Sequence, residues 1–449
     1  MDSSRFFSAF TDAINWNAFV YIIYKMCFVS LTFILYSKLP STYFSDWATA
    51  NSFIFLLLLW LNCGFKKSIP RFAPLFSKNS LLHKKFVLTI LAVQAVILAL
   101  GLPILLYFLH RFTPHLLLVP LISILFITEG ISSLLLLVYH AHFLQKRFNL
   151  IQAFFLLLEM IANFIFICFF PSNPFLLVSF LFTSKLLANL GTIILSSWML
   201  PSLYTSIITP ADEPLPTNTL VKEFIHHSLF MWIIGTTESL SERNFLFPFI
   251  TQIQGLITAN LFKVVNDAAI FFQRITIKTI GIADTTLLAY IVTTDNRLSQ
   301  IKLACTTIFK TIFTLSIPLL FIGSLFFFKT HPHLTSTTII FLIIATGTTF
   351  EMILSPYTRI LEIKLCYKHI FLSQLPYLLG YSILIGLYMY KDVPLILFIL
   401  ITHMLRLAVV GIRVYFAKKM FQIHFLRPSF AVIILAASAL ITLITSIFF

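Results

Sequence analysis

The chain has 449 residues, 59% of them hydrophobic and only 10% charged, with 51 Phe and a mean hydropathy of +0.96. A soluble domain carries about 25% charged residues, so a water-soluble globule, a disordered chain and a nucleic-acid reader are all excluded. Lys and Arg number 31 against 16 Asp and Glu, a formal charge of +15. In a polytopic membrane protein such an excess is first a question of which loops hold it.

A helix crosses the hydrocarbon layer with about 20 mostly apolar residues. Thirteen segments meet that requirement: 16–36, 47–64, 86–109, 114–139, 150–170, 175–199, 224–241, 253–272, 303–328, 335–355, 369–390, 393–416 and 428–448. Their long continuous runs predict an all-α polytopic fold, not the short alternating strands of a barrel. With the N-terminus in the cytoplasm, the inner connections hold 21 basic residues, six of them between Lys66 and Lys85. The outer connections hold five: Lys38, Arg111, Arg243, Lys329 and Lys391. That bias sets the orientation and accounts for the charge without nucleic acid. The apolar stretch 280–292 is too short to span, and a crossing there would turn seven basic residues between Arg359 and Arg427 outward. It is therefore expected to lie at the inner interface.

The proline-bearing stretch 201–223 reads as a linker. It separates a six-helix lobe at 1–200 from a second at 224–416, and 417–449 adds a further C-terminal transmembrane helix. A short repeat supports the division. Thr49-Ala50-Asn51 in the second span recurs as Thr258-Ala259-Asn260 in the eighth, 209 positions later, each followed by a basic exit. Two six-helix units share orientation, so an axis along the membrane normal is expected.

Ionisable side chains inside spans are costly and point to function. The cations are Lys25, Lys185, Lys263, Lys310 and Arg406, and the acids are Glu129, Glu159, Glu238, Asp267 and Glu351. Helical spacing gathers several into polar stripes: Lys185, Asn189, Thr192 and Ser196; Asn260, Lys263, Asp267 and Arg274; Gln152, Glu159 and Asn163; Thr348, Glu351 and Ser355. Such stripes must face a partner helix or a hydrated path. Pairing of Lys263 with Asp267 within one helix is the plain alternative to a binding role. Five isolated cysteines lack zinc or redox spacing, so neither a disulfide nor a metal is expected. Paired histidines at 140/142, 226/227 and 331/333 have no nearby acidic or Cys ligand. Nucleotide, esterase and zinc-protease motifs are absent, no cofactor is expected, and the start of the chain does not read as a cleaved signal.

This layout resembles the MOP exporter superfamily. The hairpin from Tyr24-Lys25 through Ser45-Asp46-Trp47-Ala48-Thr49-Ala50-Asn51 to Gly64-Phe65-Lys66-Lys67-Ser68-Ile69-Pro70-Arg71 resembles the opening of a polysaccharide-unit flippase. Glu238-Ser239-Leu240-Ser241-Glu242-Arg243 resembles the opening of that family's second lobe. Thirteen spans depart from the family's usual 12 or 14. The resemblance implies alternating access about a central cavity in a bacterial cytoplasmic membrane, no enzyme activity, and a monomer among membrane lipids. The implied cargo is a glycan on a polyprenyl pyrophosphate. Substrate contacts then fall to Lys25, Asn51, Lys185 and Lys263. Glu238, Asp267 and Glu351 become cavity acids or coupling groups for protons or sodium. Two alternatives are a cation-coupled multidrug antiporter of the MATE type on the same architecture, and a membrane-embedded glycan-transferring enzyme. An exporter of cations calls for a net acidic, aromatic-lined path, and a pyrophosphate carrier for a cationic one.

Overall fold

A computed structural model describes residues 26–76, 79–113, 118–141, 145–169, 173–207, 217–240, 242–269, 306, 335–390 and 393–422. Its elements are α1 (Met26–Lys38), α2 (Ser41–Trp60), α3 (Phe65–Phe76), α4 (Ser80–Phe112), α5 (Val119–Ala141), α6 (Gln145–Phe169), α7 (Pro174–Ile207), α8 (Thr217–Ser239), α9 (Arg243–Gln254), α10 (256–269), α11 (Thr335–Ile363), α12 (Tyr367–Tyr390) and α13 (Leu395–Phe421). All regular structure in the described residues is helical. Seven of these helices are long and apolar enough to cross a membrane, or eight if α2 and α3 form one bent span. The segments expected at 303–328, 428–448 and 280–292 lie outside the described residues.

Bilayer-facing surfaces are visible as helical stripes. On α4, Val93, Val96, Leu100, Ile104 and Tyr107 recur every three or four residues, and all are exposed. On α12, Leu372, Leu375, Leu379, Ile383 and Leu387 do the same. In water such continuous apolar faces would aggregate; in lipid they are the solvated side.

The chain forms two compact units, 1–260 with 282–293, and 261–281 with 294–449. In the first, α2 is the core helix and is buried nearly all round between Phe44 and Ala50. Phe53 stacks on Phe108 of α4 at 4.8 Å. Helices α8 and α9 belong to this unit and pack on α2 and α3. At the elbow between α2 and α3, bent by 45°, Gly64 adopts φ +77. A Cβ there would lie 2.0 Å from the Ser228 carbonyl oxygen of α8. Only glycine satisfies both that backbone and that approach. Trp60 Nε1 donates to Ser239 Oγ at 2.7 Å, and Trp232 Nε1 to the Trp60 carbonyl, fastening α8 along the same side.

Several boundaries differ from the sequence reading. The expected basic loop after residue 64 contains α3, whose Phe65, Ile69, Phe72 and Phe76 are buried while Lys66 is exposed. This apolar face closes on Val87, Leu134, Val138 and Phe224. The eighth span begins ten residues early, as α9, and breaks at Gly255 (φ +85) before α10. The linker is shorter than expected, because α7 runs to Ile207 and α8 starts at Thr217.

In the second unit, α11 and α12 pack on α13. Gly380 lets Leu405 approach within 2.8 Å of where a Cβ would stand. Arg413, near the end of the expected span 393–416, is buried within α13 and donates from Nε to Ser373 Oγ at 3.0 Å.

Candidate functional site

The first unit gathers polar groups from three helices. Lys185 on α7 places Nζ 3.7 Å from Glu129 Oε2 on α5, and Asn189, one turn further along, donates Nδ2 to the same oxygen at 2.7 Å. The Lys185 ammonium also sits 4.5 Å from the centre of the Phe55 ring of α2. Next to this pair, Ser184 Oγ donates to Asn163 Oδ1 of α6 at 2.7 Å. Glu159, one turn before Asn163, is 7% exposed, and its Oε2 accepts no hydrogen bond from the described residues. The polar stripes of α6 and α7 thus meet each other and α5.

The second unit holds a comparable constellation. Arg406 of α13 donates to Glu351 Oε2 of α11 at 2.6 Å. His403, one turn before Arg406, places Nδ1 4.0 Å from Glu351 Oε1. Gly347, one turn before Glu351, makes room for the imidazole: a Cβ there would stand 2.9 Å from His403 Nδ1. On α12, Tyr377 and Tyr381 are buried and stacked at 5.3 Å, and Tyr381 lies within electrostatic reach of Arg406.

The two constellations correspond in the sequence. Glu351 follows Glu129 by 222 positions and Arg406 follows Lys185 by 221. Each cation is the twelfth residue of its helix. In the span numbering expected from the sequence, these are the fourth and sixth spans and the tenth and twelfth.

The remaining candidates are placed as follows. Lys25 lies outside the described residues, as do Lys310 and Arg274. Asn51 is half-buried and donates to the Trp47 carbonyl of its own helix at 2.9 Å. Lys263 and Asp267 are buried and bonded to each other at 3.1 Å within α10. Glu238 is exposed in the last turn of α8. Among the described residues, Lys185 stands with Glu129, Lys263 with Asp267, and Glu351 with Arg406. Sequence reasoning missed His403, although its spacing from Arg406 puts both on one face. It also missed Asp46, which is buried in α2 because that helix starts earlier than hydropathy suggests.

No protein-family model matches the sequence, and no curated protein matches it. Solved structures do match the fold. A multidrug resistance MATE transporter of the MOP superfamily, in an outward-facing conformation, aligns with TM-score 0.66 at 12% identity over 91% of this chain and 95% of its own. The MATE multidrug transporter DinF-BH aligns with TM-score 0.60 at 11% identity over 93% and 97%. The eukaryotic MATE transporter AtDTX14 aligns with TM-score 0.59 at 12% identity over 93% and 99%. The chain is thus an all-helical, multi-pass membrane protein with the MATE-transporter fold.

Proposed function

We propose that the chain is a cation-coupled antiporter that exports small, amphipathic organic cations by alternating access. The observation that carries this reading is the charge pairing inside the spans. Lys185, Lys263 and Arg406 each stand against a carboxylate of the protein, and Glu159 adds a further buried acid. With buried Asp46 and buried Arg413 added to these, the described intramembrane groups are five acids and four bases, a small acidic excess that suits a cationic cargo. Aromatic rings close to these groups, Phe55 in the first unit and Tyr377 and Tyr381 in the second, suit flat apolar cations. A transport role without catalysis agrees with the fold, although fold alone does not fix chemistry.

The lipid-linked glycan reading is kept as a second proposal on one observation. At 3.7 Å the Lys185–Glu129 contact is looser than a hydrogen bond, and both groups keep some exposure, 15% and 19%. A phosphate could displace that carboxylate from the ammonium. The two readings separate in one reconstituted system. Proteoliposomes with an imposed proton or sodium gradient are assayed for ethidium movement and, in parallel, for flipping of a fluorescent polyprenyl-pyrophosphate sugar. Gradient-driven ethidium transport supports the antiporter. Sugar flipping without ethidium transport, abolished by Lys185→Ala, transfers the assignment to the flippase.

A further inference from the structure

The corresponding ion pairs of the two units differ in one chemical respect. In the first unit the residue one turn after the cation, Asn189, is an amide that bonds the glutamate directly. The residue three before it, Phe182, is apolar and buried. In the second unit these positions are exchanged in character. Val410 stands one turn after Arg406, and His403 stands three before it. The first pair is completed by the Asn189 amide, which cannot titrate, with the Glu159 carboxyl within electrostatic reach of both partners; the second has no such amide and faces the His403 imidazole.

The geometry around His403 is open to a proton. Arg406 occupies Glu351 Oε2 at 2.6 Å, and the Glu351 oxygen nearer His403 lies 4.0 Å from Nδ1. That separation is too long for a hydrogen bond and short enough for an ion pair once the imidazole is charged. His403 Nδ1 is buried and accepts or donates no hydrogen bond among the described residues. Gly347 admits the ring at this position, since a Cβ there would stand 2.9 Å from Nδ1. The ionisable groups that face the imidazole are Glu351 from α11 and Arg406 from its own helix, and Tyr381 of α12 lies within electrostatic reach of Arg406.

We propose that His403 and Glu351 together form a proton-binding site in the second unit, built on an ion pair whose counterpart in the first unit is completed by the Asn189 amide. One proton is taken from water by the imidazole, and the cluster of Glu351, Arg406 and His403 goes from neutral to a single positive charge. The imidazolium then shares Glu351 with Arg406, so proton occupancy adds a second ion pair between α13 and α11. This deepens the antiporter reading and rests on it, by naming where the coupling proton sits.

The test does not depend on finding the cargo. The full chain is reconstituted in lipid with ¹⁵N-labelled histidine, and imidazole signals are followed from about pH 4 to about pH 8. A signal that titrates, disappears in His403→Asn and changes its midpoint in Glu351→Gln is expected. Because Glu351→Gln leaves Arg406 without its carboxylate, Arg406→Gln serves as a second variant and should also move the midpoint. In ethidium transport, His403→Asn should flatten the pH dependence of the rate. A His403 signal that does not titrate, or whose midpoint is indifferent to both substitutions, overturns the proposal. If the signal titrates and responds as expected while ethidium is not carried, the proton site stands and the antiporter reading falls.

Discussion

Arg406 and Glu351 join α13 to α11 by a hydrogen-bonded ion pair of 2.6 Å, with the arginine 27% and the glutamate 15% exposed. Breaking a buried pair from one side leaves the other charge uncompensated, at a cost of about 3–5 kcal/mol when burial is complete. Partial exposure reduces that to about 1–3 kcal/mol. Arg406→Ala and Glu351→Ala should each lower the thermal midpoint of the detergent-solubilised protein. The double substitution should cost less than their sum, as read in a double-mutant cycle.

Gly64→Ala should be the more damaging change. It requires a side chain at φ +77 and a Cβ 2.0 Å from the backbone of α8. The conformation alone costs about 1 kcal/mol, and the contact forces α8 to shift. The expected readout is a large loss of monodisperse protein in fluorescence-detected size exclusion. At Gly235 a Cβ meets nothing within 4 Å, so Gly235→Ala should leave the profile unchanged.

Tyr139 on α5 is fully buried and donates its hydroxyl to the Ser196 carbonyl of α7 at 2.7 Å. That bond crosses helices and gives α7 a fixed register against α5. Tyr139→Phe should cost about 1 kcal/mol, visible as a modest fall in the unfolding midpoint with the fold intact.

Cys366 lies in the short turn between α11 and α12 as a free thiol. Burial pushes its pKa above the ordinary thiol range, and the nearby Lys364 ammonium pulls in the opposite direction. The raised pKa keeps the thiol protonated at neutral pH, and only the thiolate reacts with maleimide. In a variant with the other cysteines replaced by Ser, labelling at neutral pH should be slow and should accelerate as pH rises. Lys364→Ala removes the opposing charge, so labelling at a given pH should become slower still.

Hydropathy read the membrane helices well wherever lipid faces them. The exposed stripe on α4 and the one on α12 are made of the residues that raise the windows for those spans. It failed where protein replaces lipid. Helix α3 has Lys66, Lys67 and Arg71 in its first two turns, which give it the hydropathy of a loop, although its buried Phe65, Ile69, Phe72 and Phe76 make one apolar face. Helix α9 is diluted by Asn244, Thr251, Gln252 and Gln254, and the backbone bonds that build it do not depend on hydropathy. For the site, periodicity correctly placed Lys185 and Asn189 on one face. It could not supply Glu129 as their partner, because pairing across 56 and 60 positions depends on how two helices are rotated against each other. The i, i+4 pair of Lys263 and Asp267 needed no such information and was legible at once.

Helix α4 has 33 residues, about 50 Å at 1.5 Å each, standing in a hydrocarbon layer about 30 Å thick. The surplus has to be absorbed by inclination or carried out among the headgroups, where Lys84 and Lys85 already belong. The outer face of this rod is therefore a gauge of bilayer thickness, and lengthening or shortening the acyl chains of the surrounding lipid should alter how far it leans.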